Sequence, residues 1–224
     1  MLSSRRRIVK LNVDNRQSII ICCFAWRALS LAGTTSPPAL TTAPAELPKS
    51  NCLMVAAATP LTAELRPDAA TLDALIAEGI APRRMMVSVG TLAIPDTVRL
   101  AHHALDRKVD SLLLMPPCVY RGGITEDGTF RFFATVIERI ARDDLKLYLY
   151  HFPDICGVPV TPRVIRRLDE SYPGMIGGVK DSGGDWDFTE GLIRRFSHLS
   201  IFTGSETHLP QALAAGARGT ICGL

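Results

Sequence analysis

From Cys52 onward the chain alternates short, continuous apolar runs with longer stretches whose apolar positions recur every three or four residues. The short runs predict strands: "CLMVAAATP", "RMMVSVG", "DSLLLMPP", "LKLYLY", "MIGGVK", "LSIFTG" and "RGTICGL". The periodic stretches between them predict helices: "DAATLDALIAEGI", "IPDTVRLAHHALDRK", "TEDGTFRFFATVIERIARD", "TPRVIRRLDESYP", "DFTEGLIRRFS" and "HLPQALAAG". In the third of these Phe132, Phe133, Val136, Ile137 and Ile140 share one face, and Pro95 suits the first turn of the second. Strands that are apolar throughout, without clean alternation, belong in a parallel sheet covered on both faces, with the helices as crossovers.

Two parallel architectures fit this rhythm, a closed barrel of eight strand-helix units and an open doubly wound sheet. The open sheet brings a glycine-rich phosphate turn after its first strand, and "AAATPLTAE" contains no glycine. Polar or reactive residues stand at the ends of several strands, at Thr91, Tyr120, Tyr150, Lys180 and Ser205. A barrel assembles its site from many strand termini, so the fold expected is an α/β (β/α)8 barrel of TIM type. A nucleotide-binding open sheet is the competing fold.

The first fifty residues have another texture. "MLSSRRRIVK" is basic, "IIICCFAW" apolar, and "LAGTTSPPALTTAPAELPKS" rich in Pro, Ala and Thr without a sustained period. The order faintly copies an export signal, but Asn12, Asp14, Asn15, Arg16 and Gln17 interrupt it before the apolar part. The expected organisation is therefore a disordered or non-domain extension over 1–50, then a partial barrel over 51–224. No run reaches the roughly eighteen apolar residues of a membrane span.

Composition narrows the partners. Lys and Arg number 25 against 22 Asp and Glu, a formal net charge of +3, and the basic residues are interleaved with acids along the expected helices. That balance points away from nucleic acid. The six cysteines, Cys22, Cys23, Cys52, Cys118, Cys156 and Cys222, lack the paired spacing of a zinc site or a disulfide scaffold. Unpaired thiols in a reducing, cytoplasmic compartment are expected, with no metal and no cofactor.

The stretch "GGVKDSGGDWD" concentrates the chemistry. Lys180 ends an apolar strand directly before turn residues, which on a barrel puts an amine at the reactive face. An amine attacks a carbonyl only when deprotonated, and a nearby phenol can move the proton. His102 and His103 are adjacent in one helix and do not share a face, so they read as structural. His151 reads as a mouth-loop hydrogen-bonding residue and His208 as a helix-start residue.

Lys180 with its neighbours, "LYLYHFPDICGVPVT" and "IFTGSETHLPQALAAGARGTICG", resembles the family of the dihydrodipicolinate synthases and N-acetylneuraminate lyases. The likeness covers about Leu53 to Leu224 and rests on three motifs in order. They are a strand ending in tyrosine with a proline after it, a strand ending in lysine with an acidic/Ser/Gly turn, and a glycine-turn strand before "AxxAGxxG". The resemblance implies a lysine-imine lyase or synthase acting on pyruvate or a related 2-oxo acid. Lys180 then matches the imine-forming lysine and Tyr150 the proton-relaying phenol. Gly204 and Ser205 match the far side of the substrate pocket, Ile221 a strand position near the lysine, and Pro153 and Gly157 the mouth loop. Thr91 and Tyr120 complete the expected substrate-binding set. Related barrels assemble as dimers or tetramers, so a homo-oligomer is implied.

The departures from that pattern are equally specific. The family's second strand ends in "GTTGE" and holds the substrate carboxylate, whereas here "ATPLTAELRPD" runs directly into "ATLDALIAEGIAPRRMMVSVG". A second strand unit is expected to be missing. Val119 stands where the family has the tyrosine that subunits lend one another, with Tyr120 beside it. Ile155 replaces the arginine that synthases carry two residues after the proline, which disfavours a substrate with a distal carboxylate. After "GTICGL" no closing helix is expected. An inactive barrel fragment with a structural or partner-binding role is the alternative function.

Overall fold

Of the two parallel architectures, the closed one is observed: the sheet returns on itself. The computed structural model describes residues 18–21, 52–57 and 69–222. Its strands are β1 (Ser18–Ile21), β2 (Cys52–Ala57), β3 (Met85–Ser88), β4 (Ser111–Leu114), β5 (Lys146–His151), β6 (Ile176–Asp181), β7 (Ser200–Thr203) and β8 (Gly219–Cys222). All pair in parallel around a closed ring in the order β1-β2-β8-β7-β6-β5-β4-β3. The helices are α1 (Ala70–Ala77), α2 (Ile94–Asp106), α3 (Glu126–Ile140), α4 (Pro153–Cys156), α5 (Pro162–Ser171), α6 (Trp186–Arg195) and α7 (Leu209–Ala215). Three-residue 3-10 turns lie at Pro82–Arg84 and Cys118–Tyr120. The expected barrel is thus the observed one, and among the described residues no helix is long and apolar enough to cross a membrane.

From β2 the chain passes over α1 to β3, skipping one slot in the ring as the missing second unit implies. That slot is not empty. β1, from upstream, pairs with β2 on one side and β3 on the other, Ile20 standing opposite both Ala56 and Met86. Here the expectation of a non-domain extension over 1–50 is corrected at Ser18–Ile21, and the rest of that stretch lies outside the described residues. The physical reason is edge pairing. A gap between β2 and β3 would leave two rows of unmatched N–H and C=O groups, and three consecutive β-branched isoleucines suit a strand that fills it.

Period-two alternation along each strand sorts the core into two layers. Val87, Leu112, Leu147, Leu149, Val179 and Ile201 face outward and pack with the apolar stripes of the helices, among them Leu105, Phe133, Val136, Val164 and Leu192. Met86, Leu113, Tyr150, Phe202 and Ile221 face inward and fill the barrel. Helix starts are held by side chains where the turn chemistry predicts: Thr125 Oγ1 accepts from Gly128 N–H at 3.1 Å, and Asp185 Oδ1 from Asp187 N–H at 3.0 Å.

Candidate active site

Tyr150 and Lys180 meet because of one irregularity between β5 and β6. Leu147 stands opposite Ile176, but Tyr148 stands opposite Gly178, so Gly177 is the extra residue of a bulge. Without that insertion Tyr150 would face Val179. With it, Tyr150 pairs with Lys180, and both side chains point into the barrel one residue from the carboxyl ends of their strands. Both are buried, Lys180 at 4% exposure and Tyr150 at 7%. Lys180 Nζ lies 4.1 Å from the centre of the Tyr150 ring, and among the described residues no carboxylate is paired with it. The Lys180 nitrogen is thus enclosed within the barrel beside the phenol ring rather than solvated at its rim.

The two glycines before the lysine are steric requirements. A Cβ on Gly177 would stand 2.8 Å from the Tyr148 ring, and one on Gly178 would stand 2.0 Å from the Ser200 carbonyl oxygen. Gly204 serves the same end on β7's side, since its Cβ would lie 2.0 Å from Ser182 Oγ. That space lets Ser182 Oγ approach the Tyr150 hydroxyl to 3.5 Å. Sequence reasoning assigned no role to Ser182. The turn itself is tied down by Asp181, whose Oδ1 accepts from Gly183 N–H at 2.9 Å and whose Oδ2 accepts from the Thr189 hydroxyl. Gly204 N–H donates to the Asp181 carbonyl at 2.6 Å, and Ser182 N–H to the His151 carbonyl at 2.8 Å.

His151 follows Tyr150 and so takes the other side of the sheet, stacked on Phe188 with ring centres 4.4 Å apart. Its Nδ1 accepts from Val160 N–H at 3.0 Å, which leaves the hydrogen of a neutral ring on Nε2. The loop role expected for it is the one observed. Burial pushes its pKa below the ordinary imidazole value, with the Asp181 charge pulling the other way. The unfolded chain therefore takes up a proton at His151 near pH 6.5, while the folded chain resists it. Stability from this group is complete above the unfolded pKa and is lost as the pH falls towards the folded one. Thermal unfolding followed from about pH 7 to about pH 5 is expected to show a falling midpoint, and His151→Gln, which keeps an acceptor for Val160, should flatten that fall.

The remaining sequence-selected residues divide. Ile221 is fully buried in the inner core with Tyr150 and Phe202. Ser205 is half-buried, its N–H donating to Thr203 Oγ1 at 3.1 Å and its hydroxyl 2.8 Å from that of Thr207. Thr91 turns to the start of α2, its hydroxyl donating to the Ala93 carbonyl at 2.8 Å and lying 3.0 Å from Thr97 Oγ1. Tyr120 is half-buried and edge-on to Phe132, 5.9 Å between ring centres, while Val119 is exposed. No hydrogen bond or ring contact joins Thr91 or Tyr120 to the Lys180 and Tyr150 pair among the described residues. His208 precedes α7 with Trp186 edge-on at 5.8 Å, and His103 Nε2 lies 3.1 Å from the Ala69 carbonyl.

A guanidinium reaches the mouth loop from an unexpected quarter. Arg121 Nη2 donates to the Ile155 carbonyl at 2.5 Å, and its side chain lies where a Cβ on Gly157 would stand, at a positive φ of 68°. The loop that carries Ile155 is thus tied to a guanidinium from 34 residues earlier in the chain.

The sequence model of the dihydrodipicolinate synthetase family matches residues 75–223. An uncharacterized DapA-like lyase of Chloroflexus aurantiacus is 37% identical over 140 residues, which are 62% of this chain and 46% of that protein. A 4-hydroxy-tetrahydrodipicolinate synthase of Thermus thermophilus is 26% identical over 133 residues, 59% of this chain and 43% of that one. Among solved structures, the dihydrodipicolinate synthase of Agrobacterium tumefaciens superposes with a TM-score of 0.66 at 26% identity, covering 73% of this chain and 69% of that one. The chain spans less than half the length of these curated relatives.

Proposed function

The chain belongs to the dihydrodipicolinate synthetase family, and from that premise we propose that it is a lyase or synthase forming a lysine imine with pyruvate or a related 2-oxo acid. The observation that carries the reading is the buried Lys180 amine over the Tyr150 ring at 4.1 Å, on the inner face of a parallel barrel at its carboxyl end. The nitrogen lone pair forms the C–N bond to the keto carbon as the C=O π bond opens, and the oxygen takes the proton that the nitrogen sheds. Tyr150 delivers the second proton, water leaves, and a protonated imine remains. That imine accepts the electron pair when a bond at the neighbouring carbon breaks, and returns it when one forms.

Sodium borohydride added with pyruvate is expected to leave a stable mass increase on the peptide that contains Lys180. Folded protein that stays unmodified under saturating pyruvate would overturn the assignment and leave a barrel with a structural or partner-binding role. The same reading includes a homo-oligomer, dimer or tetramer, in a cytoplasmic setting in which Cys118, Cys156 and Cys222 stay as the free thiols they are here. It requires no cofactor, because the imine is itself the electron sink.

A further inference from the structure

Ser88 is the last residue of β3 and is fully buried. Its hydroxyl has no hydrogen-bond partner among the described residues. The other buried hydroxyls are all engaged: Thr97 with Thr91, Thr129 with the Thr125 carbonyl, Thr189 with Asp181, Thr203 with Ser205 and Thr220 with the Thr203 carbonyl. Leaving a buried hydroxyl unpaired forfeits its bonds to water without replacing them, so an orphan needs an explanation, and a bound molecule is one of the few available.

Its direction is given twice over by the sheet. Met85, Val87 and Val89 belong to the outer core and Met86 to the inner one, so Ser88 shares the inward parity of Met86. Across the ladder Ser88 stands opposite Leu113, which also faces inward. The hydroxyl therefore points into the barrel from the carboxyl end of its strand, the end that carries Lys180 and Tyr150.

We infer that Ser88 is a substrate-binding residue whose hydroxyl donates to a carboxylate oxygen of the 2-oxo acid joined to Lys180. This rests on the imine reading above. Once the keto oxygen has left as water, the carboxylate oxygens are the acceptors such an acid retains, and a hydrogen bond to a charged acceptor is stronger than one to a neutral group.

The test is borohydride trapping at Lys180, titrated with pyruvate and separately with acetone, which has the ketone but no carboxylate, in the native protein and in Ser88→Ala. The pyruvate concentration for half-maximal trapping should rise about tenfold or more in Ser88→Ala, from the loss of one charge-assisted bond. Trapping with acetone should be the same in both proteins, and the ligand-free thermal midpoint should hold or rise, since an unpaired hydroxyl has been removed. An unchanged pyruvate titration, or an equal loss with pyruvate and acetone, would overturn the role of Ser88 while leaving the imine intact. No adduct in the native protein would overturn both.

Discussion

Lys180→Arg is expected to abolish trapping by borohydride and to lower any 2-oxo acid turnover by at least about 10³-fold, while the protein stays folded. The substitution keeps a basic side chain of similar length on β6, where the Tyr150 ring lies 4.1 Å from Lys180 Nζ, so contact with the ring and the packing around it are retained. What it removes is the lone pair. A guanidinium remains protonated across the accessible pH range and has no nitrogen free to add to a carbonyl. The measurement is exchange of pyruvate methyl protons for deuterium followed by NMR, with circular dichroism to check the fold. Exchange at the native rate in the variant would show that the amine does not form the covalent bond. Lys180→Ala is a poorer probe, because it would also leave a void in the inner core beside Phe202 and Tyr150.

Gly178→Ala should have the largest effect on stability, about 3 kcal/mol, or a thermal midpoint about 10 °C lower for a chain of this size. The added Cβ would stand 2.0 Å from the Ser200 carbonyl oxygen. That atom is backbone of the neighbouring strand, and Gly178 is paired with Ser200 directly. Relief requires β6 and β7 to separate, and in a closed ring a local separation loads every other ladder. Gly177→Ala is milder by the same reasoning. Its Cβ would meet the Tyr148 ring at 2.8 Å, and a ring can rotate away. The two variants should also differ in chemistry, since the bulge at Gly177 sets Tyr150 opposite Lys180. Differential scanning calorimetry separates them; a Gly178→Ala midpoint within about 2 °C of the native one would contradict the steric account.

Arg121 changes the charge expected of the mouth loop. Read along the chain, the apolar Ile155 removes a cation from the mouth loop and argues against an acid with a distal carboxylate. In the folded protein Arg121 donates to the Ile155 carbonyl, so the loop carries a guanidinium after all, supplied by the 3-10 turn that follows β4. The same substitution read in one dimension and in three thus leads to different expectations about charge near the site.

The alternation of continuous apolar runs with amphipathic stretches determined the barrel, because strand and helix periodicities are local and the crossovers between β3 and β8 are short. Lys180 and Tyr150 were legible for a related reason: each ends an apolar run, and in a parallel barrel all such ends share one face. Tertiary structure alone decided which atoms are neighbours and which are left without one. Ser18–Ile21 is too short to announce itself as a stave, and only the vacant edges of β2 and β3 make it one. The bulge at Gly177, the Arg121 contact at Ile155, and the unpaired hydroxyl of Ser88 each depend on a partner strand or loop far away in the chain. Register and hydrogen-bond satisfaction are properties of pairs of segments, and a period read along one segment carries no information about the other.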